Sequence, residues 1–208
     1  MDLALVRHAE PVRTPAGSVD GPADPGLTEL GNEQTRRLAQ WLAAEAVDVV
    51  LSSPMHRARE TAQPIATMHG LDIEIVDGLV EYDAASADYI PMDELQASGD
   101  PRWHAMVEGR WEDFGADPAH VFKARVANAV EEIVDRFPGR RVVAVCHGGV
   151  INCALASILG IDRYLWFEPK YTSISRVVAS RNGIRSIATL NEHAHLEATR
   201  DDAPERQP

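Results

Sequence analysis

Short apolar runs rich in β-branched residues alternate along this chain with amphipathic stretches, and that alternation restricts its fold more than any other feature. The first run, Leu3-Ala4-Leu5-Val6, stops at Arg7-His8. Residues 47–51 form a second and end at Ser52-Ser53-Pro54; residues 71–76 form a third, with Ile73 and Ile75 alternating with Asp72 and Glu74. The fourth, residues 141–146, is very apolar (Val142-Val143-Ala144-Val145), as a central strand buried on both faces would be. Residues 173–179 and 184–190, joined by Arg181-Asn182-Gly183, read as a hairpin. Helical stretches fall between these runs. Thr28 is placed to cap a helix reaching about Ala44, with Leu30, Leu38, Trp41 and Leu42 as its apolar face. Further helices are expected over residues 56–69, stopped by Gly70, over 119–137, closed by Pro138-Gly139, and over 150–159. Strands and helices in this order predict an α/β fold, a layered sheet with helices on both faces.

Two segments break the rhythm. Residues 10–27 form a loop rich in Pro, Gly and Asp, longer than a plain connector, and loops of that length are often functional. From Glu81 to about Asp117 the periodicity is poor and is punctuated by Pro91, Gly99, Pro101, Gly109 and Gly115. This reads as an insertion, about residues 82–118, carrying short helices within a single domain of residues 1–197. The polar tail, 198–208, is expected to be disordered.

Composition removes several function classes. With 208 residues and a net charge of −12, the chain is a poor partner for nucleic acid or an anionic membrane. No apolar run approaches the roughly 20 residues needed to span a bilayer, and no signal peptide is visible. Cys146 and Cys153 fit neither a zinc site nor a disulfide framework; they are expected to be buried thiols in a reducing cytoplasm. His193 and His195, two positions apart, are read as surface or core histidines, and no metal or other cofactor is expected.

The first and fourth strands end alike, at Arg7-His8 and at His147-Gly148, and parallel strands would bring both ends to one sheet edge, where ligands of open α/β sheets bind. Two histidines and two arginines there suit a tetrahedral dianion, because guanidinium presents a planar fork of donors to phosphate oxygens. His147 precedes Gly148-Gly149 and a helix start, so backbone N–H groups and a helix dipole would face the same anion. Arg57, in the first turn after Ser52-Ser53-Pro54, supplies a second clamp. The ordinary alternatives are that Arg57 pairs with Glu60 or Glu10 and that His147 is a satisfied core histidine.

Five motifs in order now carry a resemblance. Leu5-Val6-Arg7-His8-Ala9-Glu10, Leu27-Thr28-Glu29-Leu30-Gly31, Ser52-Ser53-Pro54-Met55-His56-Arg57-Ala58-Arg59-Glu60-Thr61-Ala62, Leu79-Val80-Glu81 and Val145-Cys146-His147-Gly148-Gly149 resemble the histidine phosphatase superfamily, in its phosphoglycerate-mutase-like branch. The resemblance spans residues 1 to about 160 with the insertion unmatched. It implies a three-layer α/β/α sandwich with a mostly parallel central sheet, the insertion after the third strand roofing the site. By position it makes His8 the nucleophile that becomes a phosphohistidine, and Glu81 the proton donor. Arg7, Arg57 and His147 hold the phosphoryl oxygens, and Arg59 falls to a surface or supporting place. Two departures stand out. The usual glycine after the histidine is Ala9, tolerable if that position needs no positive φ. The branch's asparagine six positions past the nucleophile is Thr14, so Thr14 and Arg13 become the loop's candidate phosphate contacts.

The chemistry such residues perform is in-line phosphoryl transfer, in which positioning and positive charge do most of the catalysis. A cysteine nucleophile of the tyrosine-phosphatase kind would need arginine six residues on, and Cys146 is followed there by Asn152. Charged residues of the insertion are mostly acidic, Asp83, Asp88, Asp93 and Glu94 among them, against Arg102 and Arg110. A mutase must retain a bisphosphate, which calls for cations in the roof, so the expectation is a phosphatase for a small phosphomonoester with an apolar or weakly charged remainder. Trp103, Met106 and Trp111 either line that pocket or form the insertion's own core. Phosphoglycerate-mutase-type transfer, a non-catalytic phosphate-binding scaffold and a phosphoprotein substrate are the alternatives. Homodimerisation stays open.

Overall fold

The computed structural model describes residues 1–114 and 116–197, so the expected tail lies outside the described residues. In chain order come β1 (Asp2–Arg7), α1 (Glu29–Leu42), β2 (Val49–Ser52), α2 (His56–His69), β3 (Ile73–Ile75), α3 (Met92–Ser98), α4 (Pro101–Glu108), α5 (Ala119–Arg136), β4 (Arg141–Cys146), α6 (Gly148–Leu159), β5 (Ile174–Ala179) and β6 (Arg185–Glu192). They build one mixed sheet in the order β3-β2-β4-β1-β5-β6. β1 to β4 are parallel to their neighbours among themselves, and β5 runs antiparallel to both β1 and β6. β4 lies between β2 and β1, the central place its apolar run predicts.

Alternation along β1 explains the layers. Leu3 and Leu5 enter one core with α5 and α6 residues such as Phe122, Ile133, Ile151 and Leu155. Ala4 and Val6 enter a second core, with Leu38 and Leu42 of α1 and Ala62 and Ile65 of α2. A strand buried on both faces must be apolar at every position, which is why β1 and β4 read as unbroken runs.

The structure corrects several boundaries. Leu30 and Trp41 are largely exposed, so the apolar face of α1 narrows to Leu38, Ala39 and Leu42 around the buried Gly31 and Thr35. β3 shrinks to three residues because it is an edge strand paired only with β2. α6 begins at Gly148 rather than Val150; His147 itself stands at the N-cap with extended backbone, and the two glycines form the first turn. The insertion carries α3, α4 and a 3-10 turn, Trp111–Phe114, in agreement with its broken periodicity.

Candidate active site

Every strand that supplies a site residue ends at one sheet edge. β1 delivers Arg7 and His8, β4 delivers His147, and β2 leads through Ser52-Ser53 into α2 and Arg57. Glu81 arrives from the 3-10 turn after β3. Arg7, His8, Arg57, Glu81, Gly148 and Gly149 line the floor of a cavity of about 130 Å³, and the insertion forms its roof.

His8 is buried, and its Nδ1 lies 2.8 Å from the carbonyl oxygen of Ala9. A carbonyl only accepts, so Nδ1 carries the proton and Nε2 keeps its lone pair. Burial, then the charges of Arg57 and Arg7, hold its pKa well below the ordinary histidine value, leaving the ring neutral. Ala9 has no positive φ, so a side chain fits where the usual glycine is missing. The Ala9 N–H donates to Thr61 Oγ1 at 2.9 Å, which ties the loop to α2.

The His147 ring centroid lies 5.1 Å from that of His8. Its Nε2 is 2.8 Å from Ser53 Oγ, and its Nδ1 has no protein partner. Burial and the Arg57 charge keep it neutral as well. Arg7 donates through Nη1 to Glu168 and to the carbonyl of Pro169, with its guanidinium 4.2 Å from the Tyr171 ring centroid. Arg57 pairs with neither Glu60 nor Glu10. It donates through Nη2 to Asp83 at 2.8 Å and stacks 4.8 Å from the Tyr89 ring centroid. Burial works against both charges, but Glu168 and Asp83 hold each arginine firmly protonated.

Each side chain is thus anchored at one end and unpartnered at the other. Among the described residues seven buried side-chain polar atoms lack a partner, and four of them are Arg7 Nε, Arg57 Nε and Nη1, and His147 Nδ1. A buried unpaired polar group costs on the order of 1–3 kcal/mol, and such a concentration around one histidine is chemically suited to receive an anion.

Glu81 is buried and accepts from the backbone N–H of Gly149 (2.8 Å) and of Tyr82 (3.1 Å). Burial first, then the Asp83 charge, push its pKa up to about 7 against those two donors. Burial and Asp83 thus favour its protonated form. Gly149 makes the approach possible: a Cβ there would sit 2.4 Å from Glu81 Oε1.

Two sequence candidates are not brought to the cavity. The Arg13 guanidinium faces outward to Glu94 at 2.8 Å. Thr14 pairs its backbone with Tyr89, and its hydroxyl turns toward Val12. The long loop pairs with the insertion, Thr14 with Tyr89 and Ala23 with Ser86, and none of residues 10–27 lines the cavity. Of the three roof residues only Met106 lines the cavity. Trp111 is fully buried in the core shared with β1, α5 and α6, its ring tilted against Tyr82 and edge-on to Phe122, so it ties the insertion to the main core instead of lining the cavity or forming a core of the insertion's own. Arg102 reaches the cavity but is held by Asp88 and Asp100. Asp83, Tyr89, Glu168 and Tyr171 were not legible as site residues, since each comes from an irregular segment and acts through an arginine distant in sequence. Ser53 could have been found from the motif that carries it. Cys146 and Cys153 are buried, burial raising both thiol pKa values. His193 and His195 make separate contacts, and no cluster suited to a metal ion occurs among the described residues.

Comparison with known proteins places the chain in a family. The family model of the histidine phosphatase superfamily (branch 1) matches residues 3–193. Phosphoserine phosphatase 1 of Hydrogenobacter thermophilus is 32% identical over 162 residues, 77% of each chain. A Cronobacter sakazakii protein named "Probable phosphoglycerate mutase GpmB" is 26% identical across 99% of this chain and 100% of its own. Among solved structures, a phosphoserine phosphatase mutant (H9A) from Entamoeba histolytica, in complex with phosphoserine, superposes with a TM-score of 0.75 at 22% identity. That match covers 94% of this chain and 99% of the other.

Proposed function

This chain belongs to the histidine phosphatase superfamily, branch 1, and on that premise we propose that it hydrolyses small phosphomonoesters through a phosphohistidine on His8. The observation that carries the proposal is the set of unpartnered guanidinium donors on Arg7 and Arg57, with the unpartnered ring nitrogen of His147, beside a neutral His8 whose Nε2 lone pair is free to attack. Nε2 attacks phosphorus in line while the bond to the leaving oxygen breaks. Glu81 gives its proton to that oxygen. As a carboxylate, Glu81 then takes a proton from water, whose oxygen attacks phosphorus and releases His8 and inorganic phosphate. The arginines and the first turn of α6 at Gly148 stabilise the equatorial oxygens, and no metal is required.

In this proposal residues 1–197 act as one domain, and the roof selects the substrate. Ile90, Met92, Leu95, Met106 and Leu165 make its wall apolar, and the charge of Arg102 is already matched by two carboxylates. That favours hydrolysis over retention of a bisphosphate, and a roofed cavity favours a small molecule over a phosphoprotein. The relative named as a phosphoserine phosphatase puts phosphoserine in the first substrate panel. Mutase-type transfer is the second reading, kept because of the relative named for that activity. Buried thiols suit the cytoplasm as its setting.

The deciding experiment is hydrolysis of an aryl phosphate from pH 4 to 8 in excess EDTA, for wild type and His8→Ala. Turnover that survives EDTA and disappears in the variant is expected. Equal activity in the two proteins would sink the histidine route. No activity in either would move the mutase assay and the scaffold reading forward.

A further inference from the structure

Two residues other than glycine hold a left-handed backbone among the described residues, Thr172 (φ 57°) and Asn191 (φ 54°). For β-branched threonine this conformation is unusual, costs on the order of 1–3 kcal/mol, and persists only where the surroundings impose it. They stand on two neighbouring segments, residues 168–173 and 191–196, that side-chain contacts join.

On one side is a strap, residues 168–173, that carries most of what holds Arg7. Glu168 and the Pro169 carbonyl receive its Nη1, and Tyr171 backs its guanidinium. The Thr172 N–H donates to the Arg7 carbonyl at 3.0 Å and reaches that of His8 at 3.4 Å, and the Ser173 carbonyl accepts from the Arg7 N–H. Thr172 is fully buried. It lies just before β5, where the β1–β5 pairing begins at Val6 and Ile174.

Opposite lies a segment that the proposed chemistry does not use, residues 191–196. Asn191 Oδ1 accepts from the Lys170 N–H at 2.8 Å, and His193 Nε2 lies 3.0 Å from Lys170 Nζ. His195 Nε2 lies 3.0 Å from the Thr172 hydroxyl. His195 is itself buried, with Nδ1 unpartnered and its ring 6.2 Å from that of Trp41 on α1. Three contacts therefore fasten six residues of strap, and the strained residues are among those that make them.

We propose that residues 191–196 latch the strap and through it fix Arg7 and His8 for phosphoryl transfer, with Thr172, Asn191 and His195 as positioning residues. The inference rests on the reading of Arg7 and His8 as the phosphoryl site. Misplacement of a reacting group by about 1 Å can cost on the order of a hundredfold in rate. A slackened strap would let the Arg7 guanidinium turn and the His8 carbonyl shift without unmaking the sheet.

The test uses Thr172→Val, which removes the hydroxyl at nearly constant volume, Thr172→Ser, which restores it, His195→Ala, and Asn191→Gly. The last relieves the left-handed strain while deleting the acceptor, so it reports on the latch even if His195→Ala folds poorly. For each, kcat and KM with an aryl phosphate, orthovanadate affinity and thermal midpoint are measured. Thr172→Val, His195→Ala and Asn191→Gly are expected to lose about tenfold in kcat and to bind vanadate more weakly. Thr172→Ser should match wild type, and the Thr172→Val/His195→Ala double should be no worse than Thr172→Val alone. Variants that melt earlier but keep wild-type kcat and vanadate affinity, or a double whose losses multiply, would overturn the latch. Arg7→Ala is measured alongside: if it too leaves vanadate affinity unchanged, the reading of the phosphoryl site fails instead.

Discussion

Arg57 is a cation with almost no solvent, 1% exposed, yet it stays charged because Asp83 takes one of its nitrogens and the Tyr89 ring covers one face. The remaining nitrogens, Nε and Nη1, are left for an anion. Removing a preorganised donor of this kind costs enzymes roughly 3–4 kcal/mol in the transition state. Arg57→Ala should therefore lose on the order of a hundredfold or more in kcat/KM with the aryl phosphate, measured at saturating and limiting substrate to separate kcat from KM. It also leaves Asp83 without its partner beside Glu81, so the loss should exceed that of Arg57→Lys, which keeps the charge. Sequence alone identified Arg57 but not its partner. The two carboxylates weighed as its partners, Glu60 and Glu10, are occupied with the Leu27 N–H and the Thr28 hydroxyl.

Helices reach this site through glycines that act by absence of a side chain. At Gly31 of α1 a Cβ would lie 2.1 Å from the Glu10 carbonyl oxygen, so the helix packs directly on the loop that follows His8. At Gly149, in the first turn of α6, a Cβ would meet Glu81 Oε1 and, at 2.8 Å, the Tyr82 ring. Neither is a left-handed position; both are close approaches of backbone to backbone or to an acid. Gly149→Ala should displace the Glu81 carboxyl and weaken its N–H contact. Substrates with poor leaving groups depend most on protonation, so kcat should fall at least tenfold for an alkyl phosphate and much less for an activated aryl phosphate. Equal losses on both substrates would show that the methyl disturbs something other than the acid.

For the whole molecule, the buried titratable groups set opposing trends of stability with pH. Burial, then the Asp83 charge, push the Glu81 carboxyl of the folded protein up to about 7 from an ordinary 4.5. Between those values the unfolded chain has released a proton that the folded one keeps, so stability falls as pH rises, by about 3 kcal/mol once both are passed. His8 and His147 run the other way, since their depressed folded values mean that stability is lost as pH falls below the ordinary histidine value of 6.5. Glu81→Gln keeps the volume and removes the first trend. Its amide nitrogen cannot accept one of the two backbone N–H bonds, so its thermal midpoint should lie below wild type near pH 4 and gain on it by pH 8, followed by calorimetry at both. A midpoint gap independent of pH would mean that the carboxyl is not held protonated.

The sequence by itself determined the layers, the central place of β4 and the meeting of Arg7, His8, Arg57 and His147 at one edge, because those follow from local periodicity and from what stands at the end of each strand. Resemblance of ordered motifs added the assignment of Glu81. Tertiary structure alone decided what holds these groups: Asp83 and Tyr89 on Arg57, Glu168 and Tyr171 on Arg7, and the strained contact between Thr172 and the segment around His195. It also kept Arg13 and Thr14 out of the cavity. The physical reason is separation along the chain. Periodicity reports which face of an element is buried, whereas these partners come from irregular segments, and in the case of Arg7 the pairing spans 161 residues. Only the folded chain brings such groups within hydrogen-bonding distance.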